Sequence, residues 1–248
     1  MTLFKHLGFL AIVTLGLALG LNFPALAGKL TDAVKVRDVA LVRSLLVAGG
    51  DVQEKVQGDY LLNVAAIFGP IEMVAVLLDT GADIDRPGRD GLHPLHNAVA
   101  MGHKDIVALL IQKGANVNSK DRLGRTPLYS FASTGGSDIV IARILLAAGA
   151  NAKSEEDEYH VTALDNAVET GNLELAELLI GAHADVNHRN IDGWSALHFA
   201  THHLRYEFVK VLIAAGADVN LPNKLGKMPL ALAPNDAMKQ LLIDAGAK

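Results

Sequence analysis

Ten histidines in a chain without cysteine make metal binding and proton transfer the first chemistries to test. His188 with His202-His203 is the one histidine grouping dense enough to raise the question. Neighbouring residues on a helix project about 100° apart, so His202 and His203 cannot easily share one ion, and no carboxylate at ligand spacing joins them. The chain has no Gly-x-Ser-x-Gly and no His-Glu-x-x-His. Thr134-Gly135-Gly136-Ser137 has the glycines of a phosphate cradle without its lysine. The reading is therefore non-catalytic, with no cofactor and no metal, and the chemistry left is that of a binding surface.

Charge pattern describes that surface. Glu155, Glu156, Asp157 and Glu158 form an acidic run followed by Tyr159 and His160. Basic groups lie on both sides of it: Arg86, Arg89, Lys120, Arg122 and Arg125 before, and His188, Arg189 and Lys224 after. Alternating signs repel a polyanion locally and suit a protein with its own sign pattern. A net charge of −5 adds no general attraction to phosphate, so nucleic acid is not expected as a partner.

The elements that must hold these groups repeat. Aligned on the glycine of Leu-Leu-x-x-Gly-Ala-Asp/Asn, the positions Gly49, Gly81, Gly114, Gly149, His183, Gly216 and Gly246 are separated by 32, 33, 35, 34, 33 and 30 residues. A second landmark keeps the same phase: His93-Pro94-Leu95-His96, Thr126-Pro127-Leu128-Tyr129, Thr162-Ala163-Leu164-Asp165, Ser195-Ala196-Leu197-His198 and Met228-Pro229-Leu230-Ala231. Proline suits a first helical turn, where its missing N–H has no partner, and Thr126 can cap that turn. A short first helix follows, for example Leu95 to Met101. Gly69, Gly102 and Gly171 are then expected to take the left-handed backbone of a tight turn. A second helix, apolar at helical spacing through Ile106, Val107, Leu109, Leu110 and Ile111, ends at Lys113-Gly114. Polar connectors such as Asp85 to Asp90 and Asn118 to Leu123 join one unit to the next.

These two phased landmarks resemble those of the ankyrin-repeat family, whose unit opens with Thr-Pro-Leu-His, and the resemblance covers nearly all of residues 29 to 248. It implies an all-α solenoid of about seven helix-turn-helix units with projecting β-hairpin-like finger loops. The approximate units are 29–56 as N-terminal cap, 57–89, 90–122, 123–157, 158–191, 192–224, and 225–248 as C-terminal cap. A single helix pair has too little core to fold alone, so the units form one domain over residues 28–248. In this register His96 and His198 hold scaffold positions, able to bond the landmark hydroxyl and nearby backbone.

In the family a protein partner generally binds the concave face made by finger tips and the exposed side of the first helices. Carried over by position, that face takes in Tyr60, Ile67, Phe68, Met101, Tyr129, Glu169, Trp194, His202 and His203. The finger charges Arg86, Arg89, Arg122, Arg125, Glu155, Glu156, Glu158, Tyr159, His188 and Arg189 complete it. For Trp194, packing within its own finger is the competing expectation. The chain by itself is expected to be a monomer.

The first 27 residues read differently. Lys5 and His6 precede an uncharged apolar stretch from Leu7 to Leu21, then Pro24 and Ala25-Leu26-Ala27. That is the layout of a signal peptide cleaved after Ala27, which points to export, most simply to a periplasm, with secretion as an alternative. A membrane contact is expected only if the segment is retained. Exported ankyrin-repeat proteins of bacteria resemble immunity or self-protection factors, which implies a partner that is an enzyme or toxin of the envelope. A tethered scaffold and a secreted effector are the alternatives.

Overall fold

The landmark residues make helix starts for identifiable reasons. In a computed structural model describing residues 28–248, Thr126 Oγ1 accepts the Tyr129 N–H at 3.3 Å ahead of Pro127, closing the first turn of its helix. Thr162 with Asp165 and Ser195 with His198 form reciprocal caps, each partner accepting a backbone N–H of the other. Second helices are capped by Asp38, Asp138, Asn172 and Asn235, whose side chains accept from Leu41, Val140, Leu175 and Met238. The signal-peptide reading of residues 1–27 lies outside the described residues.

Among the described residues fourteen α-helices result, in seven pairs. The first pair is α1 (Lys29–Lys35) and α2 (Val39–Val47), and a hairpin of β1 (Lys55–Val56) and β2 (Asp59–Tyr60) follows it. Next come α3 (Leu61–Phe68) with α4 (Ile71–Asp79), α5 (Pro94–Ala100) with α6 (Lys104–Gln112), and α7 (Pro127–Ser133) with α8 (Ile139–Ala147). The series closes with α9 (Ala163–Thr170) and α10 (Leu173–Gly181), α11 (Ala196–His202) and α12 (Tyr206–Ala214), and α13 (Pro229–Leu232) and α14 (Asp236–Asp244). The first helices pack in one row from α1 to α13, and the second helices in another from α2 to α12. This is the all-α repeat solenoid expected. Between the rows runs one continuous core containing Leu62, Leu77, Leu95, Leu110, Leu128, Leu145, Leu164, Leu179, Leu197 and Leu212. Burying each such side chain stabilises the stack by roughly 2–3 kcal/mol. Among the described residues, no helix is long and apolar enough to cross a membrane.

Two local expectations need correction. Gly102 and Gly171 are left-handed, with φ of 72° and 78°, but Gly69 is extended at φ −79° and ψ 158°. Pro70 follows it, and the residue before a proline is driven out of the helical region. Glycine is needed there for space instead, since an added Cβ would stand 2.7 Å from the Ala65 carbonyl oxygen. The fingers also form less sheet than expected: β1–β2 is the one two-stranded ladder among the described residues, and Glu155–Thr162 is an isolated bridge.

What holds successive fingers is a ladder of side-chain amides. Asn118 donates to the Gly149 carbonyl at 3.0 Å and accepts from the Asn151 N–H at 2.8 Å. Asn187 makes the same two bonds to Gly216 and Asp218, and Asn220 makes them to Gly246 and Lys248. Gln53 and Asp85 each supply one of the pair, to Gly81 and from Asn116. At the same phase of the fourth finger stands Lys153. An ammonium cannot accept from Asp185, and the step from Lys153 to the His183 turn is unmade. His183 itself replaces the turn glycine and takes a left-handed φ of 63°.

Two histidines tie neighbouring units. His96 accepts from its own helix start through Nδ1 and donates from Nε2 to the Arg125 carbonyl of the next unit at 2.9 Å. His198 repeats this with Ser195 and the Lys227 carbonyl. Burial lowers the pKa of both, that of His96 to about 4.

Replacing Lys153 with Asn is expected to complete the ladder and raise unfolding stability by about 1 kcal/mol, read as a higher urea midpoint at unchanged slope. The folded pKa of His96 lies below its unfolded value, so the unfolded chain binds the extra proton. The stability contribution is therefore present above about pH 6.5 and lost as pH falls toward 4. Urea curves at pH 7 and pH 5 should show the native chain losing on the order of 2 kcal/mol more than His96→Gln across that interval.

Candidate partner-binding surface

The exposed C-terminal ends of the first helices lie in one row because those helices pack side by side. Along it stand Val36, Phe68, Met101, Thr134, Glu169 and His203, all exposed. The first three are large and apolar, at 72%, 56% and 49% exposure. The row then turns polar. Ile67 is half-buried beside Phe68, and two clefts flank that phenyl ring. One, of about 400 Å³, is lined by Val34, Val56, Val64 and Arg37. The other, of about 330 Å³, is lined by Arg37, Pro70, Met101 and His103.

Beside this apolar end stands a cationic finger. Tyr60 ends β2 and is half-buried, with Lys55 Nζ 4.6 Å and Arg86 Cζ 4.7 Å from its ring centroid. Hydrogen bonding to Arg86 and then to Lys55 holds the phenol below its ordinary pKa. Arg89 is partly committed: its guanidinium donates to the Gln57 carbonyl, and its backbone N–H donates to Asp59 at 2.7 Å. Arg122 is exposed, 3.7 Å from Asp90.

Arg125 is partly committed within its own finger. Its guanidinium lies 2.7 Å from Asp121, whose side chain is fully buried. Burial pushes the Asp121 carboxyl up, but hydrogen bonds from the Arg125 side chain and from the Arg125 and Leu123 backbone bring it below its ordinary value. Arg125 thus serves to neutralise a loop-organising carboxylate. Asn190 and Asn223 occupy the same phase in later fingers and accept from two backbone N–H groups each.

Glu156 is the corresponding residue of the long acidic finger, and here the sequence reading is overturned. It is buried, and its carboxylate accepts from the N–H groups of Glu158, Tyr159 and Val161. A polar type at a phased loop position was the available signal, hidden by the acidic run around it. Asp157 is held by Lys120 at 3.0 Å. Glu158 and Tyr159 remain exposed, and Glu158 raises the Tyr159 phenol.

Glu155 stands between His160 Nδ1 at 3.1 Å and His188 Nε2 at 3.2 Å, and His188 also donates to the His160 carbonyl at 2.7 Å. Glu169 pairs with His203 at 3.3 Å and accepts Arg205 at its backbone carbonyl. Arg189 is exposed, with a 3.4 Å contact to the Gly193 carbonyl. Trp194 packs within its own unit, its ring 5.0 Å from Phe199 and 5.6 Å edge-on from His202, and is half-buried. His202 and His203 meet edge to face with ring centroids 5.1 Å apart and remain exposed. Among the described residues, no three His, Asp or Glu side chains are grouped to hold a metal ion.

Asp165 was not foreseen as unusual. It fills the landmark position where other units carry histidine, is fully buried, and accepts both Thr162 donors at 2.9 and 2.7 Å. Burial nevertheless raises its carboxyl to about 6. This opposes the acid sensitivity of His96 and His198, because its cost to the folded state falls as pH drops through that value.

Comparison with known proteins agrees with the geometry. A family model described as "Ankyrin repeats (3 copies)" matches residues 30–121, and another, "Ankyrin repeats (many copies)", matches 101–146 and 164–213. Among curated relatives, "Ankyrin repeat and SAM domain-containing protein 6" of Rattus norvegicus is 39% identical over 100 residues, which are 36% of this chain and 11% of that protein. "Protein phosphatase 1 regulatory subunit 27" of Mus musculus is 37% identical over 76 residues, 31% of this chain and 49% of that one. The matches thus span about half or less of those relatives. Among solved structures, the ankyrin repeat domain of Bcl-3 superposes with a TM-score of 0.79 at 24% identity, covering 86% of this chain and 97% of that one. The human ASB11 ankyrin repeat domain gives 0.73 at 24%, covering 88% and 98%.

Glu156→Ala is expected to lower stability by about 2 kcal/mol, because backbone donors lose a charged acceptor. Glu158→Ala should leave it unchanged. Paired thermal melts separate the two, and equal melts would remove the structural role given to Glu156.

Proposed function

Because the chain belongs to the ankyrin-repeat family, we propose that it is a non-catalytic protein-protein interaction module exported to a cell envelope, where it binds and occludes an enzyme or toxin. The observation that supports the binding half is the exposed row of Phe68, Met101, Glu169 and His203 together with the finger charges. Solvent-facing Phe and Met are residue types enriched at the core of protein interfaces. Several curated relatives bear the name of protein phosphatase 1 regulatory subunits. By analogy, the partner favoured here is an enzyme whose action the module restrains.

Export rests on the order of residues 1–27, with its charged start, apolar stretch and Ala25-Leu26-Ala27 end. The same apolar stretch from Leu7 to Leu21 motivates a second reading, in which the segment is retained and the repeats form a membrane-tethered scaffold. A secreted effector acting outside the cell is a third reading with the same surface.

In an exporting host, the tagged full chain is expected to mature to a mass beginning at Gly28 and to bring down one protein from envelope extract. Phe68→Ala should weaken that capture about 30-fold, as a buried aromatic contact is often worth ~2 kcal/mol. An uncleaved membrane-bound mass would replace the cleaved reading with the tethered one. No specific partner in any fraction would sink the binding-module reading.

A further inference from the structure

The two halves of the binding row differ in chemistry, and the difference narrows the partner. The apolar positions Val36, Phe68 and Met101 all lie in the first three units, and the later positions Thr134, Glu169 and His203 are polar. Around the apolar half stand three cations outside any salt bridge among the described residues. Arg37 lines both clefts beside Phe68 and forms no salt bridge among the described residues. Lys55 and Arg86 converge on the Tyr60 ring from separate fingers, and neither pairs with a carboxylate among the described residues. The nearby acids are hydrogen-bonded or paired: Glu54 accepts the Gly28 N–H at 2.7 Å, Asp59, which lines the larger cleft, accepts the Arg89 N–H at 2.7 Å, Asp83, whose charge acts on Arg86, accepts the Asp85 N–H at 3.2 Å, and Asp32 lies 3.6 Å from Lys35.

Cations that no carboxylate contacts at salt-bridge distance remain available to an anionic ligand, whereas paired cations contribute little. Clefts whose walls include valine, isoleucine, phenylalanine and methionine favour a ligand with an apolar side chain. A polyanion such as nucleic acid supplies charge without an aliphatic anchor. It would also meet Glu169 further along the same row and Glu155 and Glu158 of the acidic finger. Resting on the reading of the chain as a protein-binding module, we infer that units one to three take an acidic segment of the partner protein. One large apolar side chain seats beside Phe68, and flanking carboxylates meet Arg37, Lys55 and Arg86. The polar second half then orients the remainder of the partner.

The test is selection of random dodecapeptides on the immobilised full chain, followed by anisotropy titration of the recovered peptides. The expected peptides are rich in Asp and Glu around a Leu, Phe or Trp. Their binding should weaken with salt and fall about 10-fold or more in both Arg37→Glu and Phe68→Ser. Both residues are exposed, and thermal melts confirm that the variants remain folded. Basic or uncharged peptides, or binding unaffected by either substitution, overturn the inference. If selected peptides instead depend on Arg189 or Trp194, the inference fails and the binding-module reading stands. Recovery of no peptide overturns the inference, and joined with failure to capture any protein from envelope extract it overturns both. Tighter binding of a single-stranded oligonucleotide than of any selected peptide also overturns it.

Discussion

A short helix pair cannot bury its apolar face by itself, and everything else in this chain follows from that shortage. Leu95 and Leu110 of one unit are covered only because Leu62, Leu77, Leu128 and Leu145 stand on either side. Stability is then a sum of units and the contacts between neighbours. Polar groups at the seams must be satisfied across them, since an unpaired buried donor or acceptor costs about 1–3 kcal/mol. His96 and His198 reach the next unit's carbonyl for this reason, and the Asn ladder does the same along the fingers. The seam at Lys153 lacks its ladder bonds and coincides with the lengthened acidic finger, where the unit spacing also departs from 33.

The same constraint divides side chains into those that hold the stack and those left for a partner. Histidine density suggested metal chemistry, yet His96, His198 and His103 each spend a ring nitrogen on a backbone carbonyl of another unit. Arg125 and Glu156 look like surface charges in a sequence, and both are committed to the internal order of their fingers. Phe68 and Met101 have no such role in the stack and remain in solvent. The most informative surface residues are therefore those the scaffold does not consume.

The helix pairs were legible because their signals are local and repeated. Landmark prolines, capping hydroxyls and turn glycines act within one turn of chain, and seven copies reinforce the phase. The surface was less legible. Exposure of Phe68 and position of Trp194 followed from register, but the packing of Trp194 on Phe199 and His202 depended on rotamers that no spacing encodes. Gly69 shows a local failure: its neighbour Pro70 decided its backbone, a signal present in the sequence and outweighed by analogy with Gly102.

By itself the sequence determined the repeat, its phase, the helix pairs and the row of positions facing outward, because each rests on interactions within a few residues of chain. Tertiary structure decided which polar residues remained free. Glu156 and Asp121 accept backbone donors of their own fingers, a local outcome that their phase signalled, whereas Asp165 was buried in the stack at the cost of a raised carboxyl pKa. Arg37 and Phe68 came together across two units as one cleft wall. Such outcomes depend on where other helices place their atoms, and no periodicity along a single chain specifies that.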